Sequence, residues 1–185
     1  PVTVDGLLGE WKDVAGVRLD STGKPSAGLR LAWRQEGLFG ALAAEDGDIQ
    51  VDAARPWDGD GLELNIEMDA QRRLGVRENS KAYKIFLYPQ PGAGPGQAGV
   101  KLQYGPFSKD AVKAAWQKTG AGYTVEFLIP AEALAPARMV PGTRMGLYFV
   151  VRDNGKTREQ SKSTDGVVSV WSAPVFWGAA LLVEN

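Results

Sequence analysis

The chain contains no cysteine and no histidine in its 185 residues. Without cysteine there is no disulfide framework, no thiolate nucleophile and no cysteine-ligated zinc or iron–sulfur cluster. Without histidine there is no Ser-His-Asp triad, no histidine-ligated haem and no imidazole proton relay near neutral pH. Paired carboxylates, lysine chemistry and oxygen-ligated calcium remain. A charge excess is also lacking: 21 Lys+Arg against 22 Asp+Glu leave a net −1, which speaks against nucleic acid or an anionic membrane as a partner. No apolar run approaches the roughly 20 residues that span a bilayer, so membrane insertion is not expected. No signal peptide is visible, and an opening at Pro1 without methionine reads as a processed chain or an excised domain.

What is present is ordinary for one globular domain: 44% hydrophobic and 23% charged residues. The 23 glycines and 11 prolines are dispersed, punctuating short alternating runs. GLRLAWR (28–34) and LFGALAAED (38–46), joined by QEG, read as a hairpin. GLELNIEMD (61–69) and AYKIFLYP (82–89) read as strands about a polar loop at 69–81. VKAAWQKT (112–119) pairs with GYTVEFLIP (122–130), TRMGLYFVVRD (143–153) is a further strand, and VVSVWSA and FWGAALLVE close the sheet. AEALAPA (131–137) is the one helical candidate, NGKTREQSKSTDG (154–166) a polar loop, and PQPGAGPGQAGVK (89–101) a flexible Gly/Pro-rich surface insertion. The pattern predicts an all-β, two-sheet antiparallel sandwich, jelly-roll-like, with about nine to eleven strands and one short helix.

One stretch, RPWDGDGLELNIEMD (55–69), sets Trp57 in a Gly/Asp loop just before a strand. On that strand Leu62, Leu64, Ile66 and Met68 alternate with Glu63, Asn65 and Glu67, which predicts one dry and one solvent-facing side. A sugar ring has a C–H patch that packs on an aromatic face and a rim of hydroxyls that bonds carboxylates and amides. A loop tryptophan beside Glu63, Asn65 and Lys84 supplies both halves.

The order of motifs resembles family 9 carbohydrate-binding modules, of the DOMON-like sandwich superfamily. VDGLLGEW, EGLFGALAAEDGDI, RPWDGDGLELNIEMD, GYTVEFLIP, MGLYFVVRDNG and the closing Trp171, Pro174, Trp177, Gly178, Leu181 pattern follow the family's sequence of elements from residue 4 to 183. The resemblance implies a non-catalytic module that binds a mono- or oligosaccharide, or a polysaccharide chain end, between two tryptophans. By that resemblance Trp57 and Trp177 are the clamp, Glu63 and Lys84 read hydroxyls, and Arg158 is a looser match to a second ligand-contacting arginine. Three positions depart from it. Lys84 stands where the family has Arg and lacks its planar fork, Val150 replaces an amide, and Pro174 replaces an asparagine. The resemblance also implies a secreted, cell-surface or periplasmic accessory domain tethered to a larger carbohydrate-active protein, commonly with structural calcium.

Plainer roles stand beside these. Trp11, Trp33 and Trp116 lie in or beside alternating runs and read as packing residues. Lys84 is placed to neutralise Glu63 on the adjacent strand. Asp46, Asp48 and Asp52 cluster around a glycine in AEDGDIQVD and are candidate calcium ligands, although the run is not an EF-hand loop. Glu63 and Glu67 lie roughly 13 Å apart by strand rise, too far for glycosidase chemistry. Two other functions fit the same fold: a haem-binding electron-transfer domain using Met68, Met139 or Met145 with a lysine, and a structural or interaction sandwich whose sugar pocket is degenerate. No organic cofactor is expected on the sugar-binding reading.

Overall fold

The computed structural model describes residues 2–19, 27–71, 81–92, 96–153, 156–159 (backbone) and 177–184. Eleven strands run through the described residues. They are β1 (Gly16–Leu19), β2 (Ala27–Arg34), β3 (Gly37–Glu45), β4 (Gly61–Glu67), β5 (Ala82–Tyr88), β6 (Gly99–Tyr104), β7 (Lys113–Lys118), β8 (Gly122–Pro130), β9 (Arg144–Asp153), β10 (Lys156–Glu159) and β11 (Gly178–Leu181). One sheet has the order β1-β2-β3-β8-β7 and the other β10-β9-β4-β5-β6, with β11 also paired to β9. Every pairing is antiparallel. Alternate residues of both sheets meet between them: Leu29, Leu42, Val125 and Phe127 from the first, and Leu62, Leu64, Ile66, Ile85, Leu87 and Phe149 from the second. Trp33 and Trp116 pack against the edge of this core, as their runs imply.

Three expectations are corrected. Residues Ala131–Leu134 form a 3-10 turn of four residues, not an α-helix. Pro136 stops it, since proline has no N–H to continue a helix and disfavours helical backbone at the residue before it. The polar loop expected at 154–166 contains strand β10, which pairs Lys156–Glu159 with Val150–Asp153 of β9. The insertion expected at 89–101 ends in strand β6, whose Val100 and Leu102 pack on the core. Gly99 is there for a steric reason: a Cβ would lie 2.1 Å from the ring of Tyr88 on β5. The closing residues Trp171 and Pro174 lie outside the described residues.

The opening VDGLLGEW segment is a strap across the outer face of the first sheet. Glu126 on β8 points away from the core, yet it is fully buried. Its carboxylate accepts the backbone N–H groups of Asp5 (3.0 Å) and Gly6 (2.7 Å) and the indole N–H of Trp11. Thr124, two residues away, donates to the Gly6 carbonyl at 2.7 Å. Trp11 completes a small outer core with Phe39 and Ala41. Burial pushes the Glu126 carboxyl up, and its three donors oppose that shift. Glu126→Ala leaves those donors unpaired, so urea unfolding should show a loss of roughly 2–4 kcal/mol. An unchanged midpoint would mean that Trp11 packing alone holds the strap.

Candidate functional site

The outer face of the second sheet is not the wet surface that alternation implies. Glu63, Asn65 and Glu67 of β4 point away from the core but are completely buried, and Lys84 is 4% exposed. The register arranges this face in three rows. Glu63 lies between Phe86 and Val150, Asn65 between Lys84 and Tyr148, and Glu67 between Ala82 and Gly146. Two tryptophans stand over the rows. Trp57, in the 3-10 turn Pro56–Asp58, sets its ring 5.9 Å from that of Phe86 at 57° and stays partly exposed. Trp177, just before β11, packs on Ala82, Tyr148 and Val150 and is 1% exposed. Gly146 leaves room for Glu67 on the neighbouring strand, because a Cβ there would come 3.2 Å from the Glu67 Cβ.

Between the tryptophans lies a bonded cluster. The Glu63 carboxylate meets Lys84 Nζ at 2.7 Å through one oxygen and an Nη of Arg152 through the other. Asn65 donates to Glu63 at 3.1 Å and accepts from the Tyr104 hydroxyl at 3.4 Å. Burial raises the Glu63 carboxyl and is the largest single influence. The two cations together outweigh it and hold the group below its ordinary value of 4.5. Burial likewise lowers Lys84, with Glu63 opposing. Tyr104 is pushed well up, first by burial and then by the Glu63 charge. The Nε of Arg152 is buried and has no hydrogen-bond partner among the described residues.

The structure therefore brings Trp57, Glu63, Asn65, Lys84 and Trp177 onto one face. Arg158 lies on β10 with its backbone opposite Val151, and its side chain is outside the described residues. Sequence reasoning missed Arg152, Phe86 and Tyr104. The signal for Arg152 was its parity: it lies two residues beyond Val150, on the side of β9 that carries Tyr148. The three methionines all lie in the main hydrophobic core and not on this face.

The predicted acidic cluster is also rearranged. Asp46, at the end of β3, meets Asp60 and Asp153, with carboxylate oxygens within 4.8 Å of one another. Asp48 and Asp52 are not in this triad. Asp48 accepts from the Gln50 side chain at 2.7 Å. Asp52 accepts the N–H groups of Ala54 and Arg55 at 2.8 and 3.0 Å, so it closes the loop that carries Trp57. Those backbone bonds hold its carboxyl below the usual value, with the Arg55 N–H as the largest cause.

A β-sandwich with an outer sheet face of aromatic rings around a bonded polar row defines a class of ligand-binding sandwich. Residues 10–185 match the family described as "Carbohydrate family 9 binding domain-like". The chain belongs to that family. It superposes on a family 9 carbohydrate-binding module from Caldicellulosiruptor kristjanssonii in complex with cellotriose, with a TM-score of 0.81, 17% identity, and coverage of 100% of this chain and 91% of that one. The glucose complex of a family 9 module from the same organism gives 0.76, 17%, 100% and 92%. By sequence, the chain is 24% identical over 165 residues to endo-1,4-beta-xylanase A of Thermotoga neapolitana, covering 89% of this chain and 14% of that protein.

Because the fold holds Glu63 below 4.5, its ion pairs contribute stability at neutral pH that is lost as pH falls below that value. Urea-unfolding free energies of the wild type and Glu63→Gln should therefore differ at neutral pH and draw together as the pH is lowered below 4.5. A constant gap would contradict the ion-pair assignment.

Proposed function

We propose that this domain is a non-catalytic carbohydrate-binding module whose ligand lies on the outer face of the six-stranded sheet, against Trp57. The observation that carries this reading is the partly exposed indole of Trp57 beside the largely buried Glu63–Lys84–Arg152–Asn65 cluster. The indole offers a face for the C–H side of a sugar ring. The cluster holds Arg152, its one partly exposed member, so that this donor does not have to be ordered on binding. Trp177 forms the far wall of the site. Cellotriose and glucose in the related modules support a mono- or oligosaccharide, or the end of a polysaccharide, as ligand. The match to one segment of a xylanase supports an accessory domain tethered to a carbohydrate-active enzyme. Such a module works where polymeric substrate is found, which supports a secreted, cell-surface or periplasmic location.

Fluorescence titration against mono- and oligosaccharides should give a saturable change, and Trp57→Ala should weaken binding at least tenfold, since stacking and its buried area are lost together. A flat response from the folded wild type would favour an interaction sandwich with a degenerate pocket. The burial of Trp177 and the full engagement of Glu63 by two cations are the observations on that side.

Calcium is proposed as a structural ion held by Asp46, Asp60 and Asp153. Two oxygens on one ion at about 2.4 Å each lie no more than about 4.8 Å apart, so the triad has the necessary spacing. Its carboxylates come from the end of β3, the residue before β4 and the end of β9, so the ion would tie the two sheets together. Calcium should raise the melting temperature of chelator-treated protein, and Asp60→Asn should abolish the increase. An identical increase in the variant would place the ion elsewhere.

A further inference from the structure

We propose that Lys101 is a positioning residue for Trp57, fixing the indole over the sheet so that one face is set to receive a sugar ring. This rests on the sugar-binding reading above. Lys101 lies on β6 directly opposite Phe86 of β5. Its ammonium sits 5.1 Å from the centroid of the Trp57 ring and also donates to the carbonyl of Ala54, three residues earlier in the same loop. One cation thus holds both the ring and the backbone that carries it.

The loop is stiff in itself but needs orienting. Asp52 caps the Ala54 and Arg55 N–H groups, Arg55 bridges to Asp52 at 3.4 Å and Asp58 at 3.2 Å, and Asp60 N–H bonds the Gln50 carbonyl at 2.7 Å. All of these bonds lie within residues 50–60. Lys101 crosses from the sheet to this unit, and Phe86 supports the indole from the same sheet row. Phe86 has a second ammonium, that of Lys84, 5.7 Å from its ring, which links the Trp57 support to the Glu63 cluster. An aromatic wall held in advance does not lose side-chain freedom when ligand arrives, so its contacts go further toward affinity.

The test uses Lys101→Met, which keeps the stem and removes the charge, and Lys101→Arg, which keeps the charge. Acrylamide quenching of Trp57 is read as the difference between each protein and the same protein carrying Trp57→Phe. We expect Trp57 to be more quenched in Lys101→Met and to return toward wild type in Lys101→Arg. Affinity for whichever sugar the wild type binds should fall roughly three- to tenfold in Lys101→Met, recover in Lys101→Arg, and show no further loss when Lys101→Met is added to Trp57→Ala. Unchanged quenching and affinity in Lys101→Met would overturn the proposal. So would a loss of equal size with and without Trp57, because Lys101 would then touch the sugar itself. A wild type that binds no sugar in the panel would overturn the functional reading, and with it the role of Lys101 in ligand capture. Quenching would still report separately whether Lys101 holds the indole.

Discussion

A buried carboxylate between two cations organises this face of the protein. Glu63 has no access to solvent, yet Lys84 and Arg152 keep it ionised. Removing one member of such a set leaves an uncompensated buried charge, typically worth about 3–5 kcal/mol. The arrangement therefore fixes where β4, β5 and β9 place their outward side chains. Asn65 is oriented by Glu63, Tyr104 by Asn65, and Phe86 lies under Lys84 and beside Trp57. The cluster thus acts from beneath, holding the aromatic side chains of this face against groups already bonded to one another.

The two sheets divide the work. The first sheet carries the N-terminal strap, locked by Glu126, on its outer side. The second carries the polar rows and the two tryptophans. Both outer faces bury a glutamate, but with different partners. Glu126 takes neutral N–H donors and its carboxyl is shifted up, whereas Glu63 takes cations and is shifted down. Donor type separates a latch of neutral donors from a charged cluster. The aspartates at 46, 60 and 153 lie next to these parts in the chain: Asp60 follows the Trp57 turn and Asp153 follows Arg152.

Strand existence was largely legible because apolar residues of β2, β3, β4, β5, β8 and β9 recur with period two. The four-residue strands β1 and β10 were not legible, having few apolar positions, and the alternation of Val100, Leu102 and Tyr104 in β6 was masked by the Gly/Pro-rich run that leads into it. Alternation set Glu63, Asn65 and Lys84 on an outward face beside the Trp57 loop, but it did not reveal that these three are buried. Polar alternation looks the same whether a face meets water or a layer of aromatic side chains. The ion-pair partner Arg152 is distant in sequence, and only the β4–β9 register brings it to Glu63. The same holds for Asp60 and Asp153, whose carboxylates, rather than those of Asp48 and Asp52, lie beside that of Asp46: a local acidic run could not reveal a cluster assembled from three parts of the chain.

The central claim is that sugar is received at the outer face of the second sheet against Trp57. The most direct measurement is the set of indole N–H resonances in an isotope-labelled sample titrated with a panel of mono- and oligosaccharides. The account predicts a saturable shift of the Trp57 resonance, with Trp11, bonded to Glu126 on the opposite outer face, left in place. A sugar that moves Trp11 and leaves Trp57 unchanged, or a panel that moves neither, would contradict it.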